Sequence, residues 1–201
     1  MSHARQARTF TVALVGQPNV GKSVIMNLLT GAGAVVSNYP GTTVELTEGT
    51  IQGPCGPIRV VDTPGAYSLH SDTPEQRVTQ RAILEGKVDL IVNIANARSL
   101  ARSLYLTLQL LDLDIPMVLA LNQMDMAEEA GIAVDASELA RRLGLRVVPM
   151  VASKGVGIDS LKNRIHEVQM ALAESPGNPF LHLGRPLRFS DNIESVLDVL
   201  M

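Results

Sequence analysis

The chain has 201 residues, 46% of them hydrophobic and 18% charged, which suits one full α/β domain with some tail and excludes a disordered segment. Its formal net charge is −3 and no Lys/Arg block stands out, so the basic footprint of a nucleic-acid binder is missing and no nucleic acid is expected as partner. No run approaches the about 18 apolar residues that cross a bilayer, and the N-terminus lacks a signal-peptide core; these residues are expected to be soluble and cytoplasmic.

Residues 1–8 read as an N-terminal tail, and the apolar run 9–15 as a strand. Directly after it comes Gly16-Gln17-Pro18-Asn19-Val20-Gly21-Lys22-Ser23, then a helical pattern over 23–30. A strand, a glycine-bounded turn of the form G-x-x-x-x-G-K-S and a helix make a phosphate-binding loop. Glycines let the backbone wrap a polyphosphate, successive N–H groups point inward, and the helix presents its positive dipole end. Lys22 can bridge the outer phosphates, and the Ser23 hydroxyl can bind Mg²⁺.

Between this helix and the next strand lies Ser37-Asn38-Tyr39-Pro40-Gly41-Thr42-Thr43-Val44-Glu45, small, polar and rich in breakers, as suits a loop that orders around a nucleotide. Thr43, with Thr42 as the alternative, is the threonine expected to reach Mg²⁺ when a γ-phosphate is present, beside Gly41. Tyr39 either stacks over the base or packs against the domain. Apolar runs 44–51 and 58–61 flank the turn Gly53-Pro54-Cys55-Gly56-Pro57 and read as a hairpin that adds one antiparallel strand. Cys55, the single cysteine, is an incidental turn thiol.

Asp62-Thr63-Pro64-Gly65 closes the hairpin's second strand. A carboxylate at that strand end can hold a metal-bound water, which assigns Asp62 to Mg²⁺ through water, and the Gly65 N–H can sense a terminal phosphate. A helix over 74–84, a strand over 90–95, a helix over 99–111 and a strand over 117–121 follow. The last of these runs into Asn122-Gln123-Met124-Asp125, an N-x-x-D element. Asp125 can accept from both the ring N–H and the exocyclic amine of guanine, two donors that adenine lacks on that edge. Asn122 would lock this loop onto the phosphate loop, while Val151-Ala152-Ser153-Lys154 would give a backbone N–H to the base oxygen and the lysine stem as packing.

A helix over 136–143, a strand over 146–150 and a helix over 158–173 complete the pattern. Strands apolar on both faces and separated by helices predict an α/β fold, a mainly parallel six-stranded sheet with one antiparallel strand and helices on both faces, and with the motifs above it resembles the Ras-like P-loop GTPase fold. The GTP-binding domain is expected over 9–174. Ser175-Pro176-Gly177-Asn178-Pro179 breaks its last helix and opens a segment, 175–201, that ends in the amphipathic pattern Ser190 to Met201 with nothing visible to pack against. The chain therefore reads as a fragment of a longer protein. His70 and His166 read as solvent-facing, His3 and His182 lie in segments of doubtful order, and no two histidines have metal-ligand spacing. Glu75, Glu85, Glu128 and Glu129 fit exposed faces.

With these motifs the chain resembles the translation-factor-related G proteins, and more closely the cytoplasmic N-terminal G domain of the ferrous iron transport protein B family. The resemblance covers residues 10–173 and rests, beyond the shared motifs, on the stretch from Ser37 to Glu45, on Asp62-Thr63-Pro64-Gly65-Ala66-Tyr67-Ser68-Leu69 and on Ser103-Leu104-Tyr105-Leu106-Thr107-Leu108-Gln109-Leu110. It implies a slow GTPase that takes GTP to GDP and phosphate, at the cytoplasmic face of the bacterial inner membrane. Residues 175–201 would then be a linker and the start of a helical domain that leads to a membrane Fe²⁺ permease. Those downstream domains and guanine nucleotide are the implied partners, and a homo-oligomer stays open.

Asn19 matches the family's asparagine that helps bind K⁺ beside the phosphates, so hydrolysis is expected to be potassium-stimulated. Ala66 stands where Ras-like proteins carry a water-orienting glutamine. Lys22, Thr43, Gly65 and Asn19 are the expected catalytic groups. Two departures from the family pattern, Gln17 in place of Asn and the stretch Asn93-Ile94-Ala95-Asn96-Ala97, which lacks the Asp common at the end of that strand, are expected to stay clear of the transferred phosphate. Two rival readings remain from sequence: a soluble ribosome-assembly GTPase of the same superfamily, and a nucleotide sensor with negligible turnover, for which Ala66 is the motive.

Overall fold

A computed structural model describes residues 9–38, 42–69, 73–85 and 88–175. The strands are β1 (Phe10–Gly16), β2 (Val35–Asn38), β3 (Glu45–Gly53), β4 (Gly56–Asp62), β5 (Leu90–Asn96), β6 (Met117–Asn122) and β7 (Arg146–Pro149). The helices are α1 (Lys22–Thr30), α2 (Pro74–Leu84), α3 (Leu100–Leu111), α4 (Met124–Glu129), α5 (Ala136–Leu143) and α6 (Ile158–Glu174). From residue 176 onward, the expected linker and helical start lie outside the described residues, as do Gly41, Tyr39, His3, His70 and His182.

One sheet runs β2-β3-β4-β1-β5-β6-β7. It has seven strands where the sequence predicts six; the added one is β2, whose second half, Ser37 and Asn38, falls in the stretch that reads as loop, and all four of its residues are exposed. It pairs antiparallel with β3, which in turn pairs antiparallel with β4, so β3 alone runs against the others, as the hairpin predicts. β1 lies between β4 and β5, parallel to both.

Strand alternation splits the core between the two faces. Val12 and Leu14 of β1 pack with Ile25 and Met26 of α1 and with Leu161, Ile165 and Val168 of α6. Ala13 and Val15 face the other way, onto Leu104 and Leu108 of α3 and onto Leu139 and Leu143 of α5. The largest of these side chains are fully removed from water, each stabilising the fold by about 1.5–3 kcal/mol.

Helix ends are fixed by their own sequence. Thr73 accepts from the Gln76 N–H at 3.4 Å and Pro74 opens α2, while the Asp135 carboxylate accepts from Ser137 and Glu138 N–H at 2.9 Å each to open α5. Gly144, at φ 64°, closes α5 in the left-handed region. His166 departs from its expected solvent-facing placement: it is half-buried, and its Nε2 is enclosed with no hydrogen-bond partner, on a helix that packs against α1, β6 and β7. Among the described residues no helix is long and apolar enough to cross a membrane.

Candidate functional site

Parallel strands deliver their carboxyl ends to one edge of the sheet, and the motif residues collect there. Leu14 is in register with Asp62, Gly16 with Ile94, and Asn96 with Asn122, so the ends of β1, β4, β5 and β6 lie side by side. After Gly16 the chain turns through Gln17, Pro18, Asn19 and Val20 into α1. Asn19 adopts φ 64° and Gly21 φ 95°, left-handed bends of the kind found in anion-binding loops. Packing dictates glycine at Gly16 and Gly21. A Cβ on Gly16 would fall 2.5 Å from the Ile94 carbonyl, and one on Gly21 would fall 2.5 Å from the Asn122 amide nitrogen.

Inside this loop the Lys22 ammonium donates to the Gln17 carbonyl at 3.2 Å, and the Ser23 hydroxyl donates to Asp62 Oδ2 at 2.9 Å. Lys22 and Asp62 are buried, 8% and 9% exposed. Burial pulls the Lys22 ammonium below the usual lysine range, partly offset by the Asp62 charge. Burial likewise pushes Asp62 above the usual carboxylate range, against the Ser23 hydrogen bond and the Lys22 charge. Asp62 Oδ1 is enclosed with no hydrogen-bond partner. An orphaned carboxylate oxygen beside a hydroxyl is a hard oxygen donor set, which fits a small divalent cation such as Mg²⁺ with its shell of water.

Asp62-Thr63-Pro64-Gly65 is pinned to β1: Thr63 donates to the Leu14 carbonyl through N–H at 3.1 Å and through its hydroxyl at 2.8 Å. Ala66 N–H donates to the Gly16 carbonyl at 3.1 Å. Gly65 lies against Pro18 so closely that a Cβ would come within 2.8 Å of the proline ring. Gln17 turns its amide away from the loop centre to donate to the Arg102 carbonyl at 2.7 Å. Asn93 is buried in β5, donating to the Val15 carbonyl at 3.2 Å and accepting from the Thr107 hydroxyl at 2.6 Å.

Asn122 joins the two halves of the site. Its amide donates to the Val20 carbonyl at 2.9 Å, and its Oδ1 accepts from the Ala152 N–H at 2.9 Å. Gln123, at φ 62°, adds a bond from Nε2 to the Asn19 carbonyl at 3.2 Å, and Met124 N–H donates to the Met150 carbonyl at 3.2 Å. Asp125 lines an open cleft with Met124, Gly131 and Val151. One of its oxygens accepts from Met126 N–H at 3.0 Å and the other meets the Lys154 ammonium at 3.0 Å. The Lys154 hydrogen bond holds Asp125 below the usual carboxylate range. Ser153 is exposed beside it.

Thr42 is half-buried and Thr43 exposed, and the Thr42 hydroxyl accepts from the Val44 N–H at 3.2 Å. Gln109 and Arg102 escaped sequence reasoning. Both sit on α3 and both touch the segment after Gly65, across separations that no local pattern reveals. Cys55 is an exposed free thiol, and Glu75, Glu85, Glu128 and Glu129 are exposed.

A sequence family described as ferrous iron transport protein B matches residues 10–165. The Fe(2+) transporter FeoB of Salmonella typhimurium is 42% identical over 159 residues, covering 77% of this chain. The match takes in 21% of that transporter, so the chain spans about a fifth of the length of such relatives. The crystal structure of the G domain of T. maritima FeoB superposes with a TM-score of 0.74 at 36% identity, over 80% of this chain and 98% of that one. A GDP-bound variant of the S. thermophilus FeoB G-domain gives 0.73 at 35% identity, over 78% of this chain and 60% of that one.

Proposed function

The chain belongs to the ferrous iron transport protein B family, and on that premise we propose that it binds guanine nucleotide and hydrolyses GTP slowly as the switch of a ferrous iron transporter. The observation that carries the reading is the Asn122 clasp, 2.9 Å to each side, which fixes the phosphate loop and the base loops as one site. A relative in the same fold is GDP-bound, which supports the choice of ligand.

In this reading Gly16, Gln17, Pro18, Val20 and Gly21 enclose the phosphates with their backbone, and Lys22 neutralises the outer ones. Asp125, freed from Lys154, takes the two guanine donors, and the backbone of Val151, Ala152 and Ser153 meets the base oxygen. A water oxygen attacks the γ-phosphorus, the bond to the β,γ-bridging oxygen breaks, and its electrons remain on the β-phosphate of GDP. The water's proton leaves with the phosphate or the solvent. Lys22 and the Gly65 N–H stabilise the charge that shifts during this step.

Ser23, Asp62 through water and Thr43 would hold Mg²⁺, and Asn19 would hold K⁺; when bound, these cations neutralise phosphate charge. Ala66 brings no side chain to orient the water, which supports a low intrinsic rate and a stimulatory role for the K⁺ beside Asn19. The helical and membrane domains expected downstream would read the switch at the cytoplasmic face of the bacterial inner membrane.

Binding titrations with GDP and ADP, followed by GTP turnover in K⁺ and in Na⁺, test the reading. GDP is expected to win by at least about a hundredfold, from two hydrogen bonds that only guanine can donate. Turnover is expected to be faster in K⁺, with Asn19→Ala erasing the difference. Equal affinity for ADP overturns the guanine assignment. Equal rates in both salts overturn the potassium assignment, and no turnover in either leaves a nucleotide sensor in place of an enzyme.

A further inference from the structure

The segment that follows Gly65 is not a free loop: α3 holds it. The Gln109 side-chain oxygen accepts two hydrogen bonds from that segment, from the Leu69 N–H at 2.8 Å and from the Ser68 hydroxyl at 3.1 Å. Gln109 is 8% exposed and Leu69 5%, so both ends of the Leu69 bond are screened from water. About two turns earlier on α3, the Arg102 guanidinium lies 4.5 Å over the Tyr67 ring, and the Arg102 carbonyl accepts from Gln17 of the phosphate loop at 2.7 Å. The segment's upstream end is tied just as firmly. The Pro64 carbonyl accepts from the buried Thr79 hydroxyl at 3.0 Å, and the Ala66 N–H reaches the Gly16 carbonyl at 3.1 Å.

Helix α3 therefore contacts both the loop at Gln17 and the strap from Ala66 to Leu69. An amide oxygen has two lone pairs, and both are committed here to the strap. We propose that Gln109 is a positioning residue for GTP hydrolysis: from α3 it fixes Ser68 and Leu69, and through them the pose in which the Gly65 N–H meets the terminal phosphate. This rests on the reading of the chain as a GTPase.

The role separates GTP from GDP. A strap that serves the terminal phosphate matters to a ligand that has one, while the Asn122 clasp and the phosphate loop, which hold the rest of the nucleotide, do not involve Gln109. Chemistry also separates two replacements. Gln109→Met keeps length and volume but leaves the buried Leu69 N–H without an acceptor, whereas Gln109→Glu keeps two acceptor lone pairs in place.

Single-turnover GTP hydrolysis and GDP affinity, measured on the 201-residue chain and its variants in Mg²⁺ and K⁺, decide the matter. Gln109→Met is expected to slow hydrolysis about tenfold, as one lost buried hydrogen bond allows, with GDP affinity within about threefold of the parent. Gln109→Glu is expected to recover most of the rate. Ser68→Ala removes one of the two donors at a half-buried position, which spares the core if Gln109→Met does not fold; it is expected to slow hydrolysis about threefold at unchanged GDP affinity. Parental rates in Gln109→Met, or in Ser68→Ala where that variant alone folds, overturn the proposal. So does an equal loss of rate and GDP affinity in the Met and Glu variants, which marks a purely structural residue. A parent chain that binds GDP and never hydrolyses GTP overturns the GTPase reading, and this role falls with it.

Discussion

Lys22 and Asp62 at one end of the site, and Lys154 and Asp125 at the other, place the same two kinds of charge in opposite surroundings. Lys22 and Asp62 are buried, and desolvation pushes each toward its neutral form. The Lys154 side chain is 64% exposed and that of Asp125 24%; their contact draws each toward its charged form, held mainly by the hydrogen bond between them. Buried charge is costly until a partner of opposite sign arrives, so in the proposed reading Lys22 gains from binding phosphate and Asp62 from binding a cation. An exposed ion pair is screened and cheap to open, so in the proposed reading Asp125 can give up Lys154 to a base at little cost.

Substitutions can break that contrast. The largest effect is expected at Lys22. Lys22→Met keeps the buried stem and removes the charge; GTP and GDP affinity should fall about a hundredfold, the worth of a charge-assisted hydrogen bond in a desolvated site, while urea denaturation of the free chain changes little. A marked loss of stability in the free chain would mean that Lys22 stabilises the empty fold, contrary to the cost assigned to its burial.

Asn122→Ala comes next and acts on both ends at once. It strands the Ala152 N–H and the Val20 carbonyl, at about 1–3 kcal/mol for each buried unsatisfied group, and should lower both the unfolding midpoint and GDP affinity. Loss of affinity without loss of stability would show that the clasp forms only around a ligand.

Lys154→Met should have the smallest effect and the clearest dependence on pH. Asp125 is held below the usual carboxylate range, so the stability it brings is full above that range and fades as pH falls through its lowered value. Lys154 is held above the usual lysine range, so its share is full below that range and fades as pH rises through its raised value. Thermal denaturation of the parent and of Lys154→Met should therefore differ slightly near neutrality and converge at both extremes. A constant difference across pH would assign the contact to packing by the lysine stem.

How much was legible differs between these regions for the same reasons. The phosphate loop, Asp62-Thr63-Pro64-Gly65 and Asn122 were readable because each follows an apolar strand directly, so the pattern of strands places the motifs at one edge. Val35 to Asn38 gave no such signal: four exposed residues at the sheet edge have no buried face to impose a period, and only the backbone of β3 makes them a strand. The six-residue helix α4 is too short for a helical stripe, and it begins from Gln123 at φ 62°, whose side chain donates to the Asn19 carbonyl. His166 sits on a helix whose pattern leaves its side open, yet in the folded chain its Nε2 is enclosed.

By itself the sequence determined the class of fold, the order of the motifs along it and the identity of the groups at each strand end, because apolar period and glycine placement act over a few residues. Tertiary structure decided which of those groups are buried together and which stand in solvent. It placed Asp62 against Ser23 with one oxygen orphaned, gave Asn122 both of its partners, and brought Gln109 to Ser68 and Leu69 across about 40 residues of chain. Such contacts depend on how parallel strands and their covering helices pack in three dimensions, where burial sets what each charge and each hydrogen bond is worth.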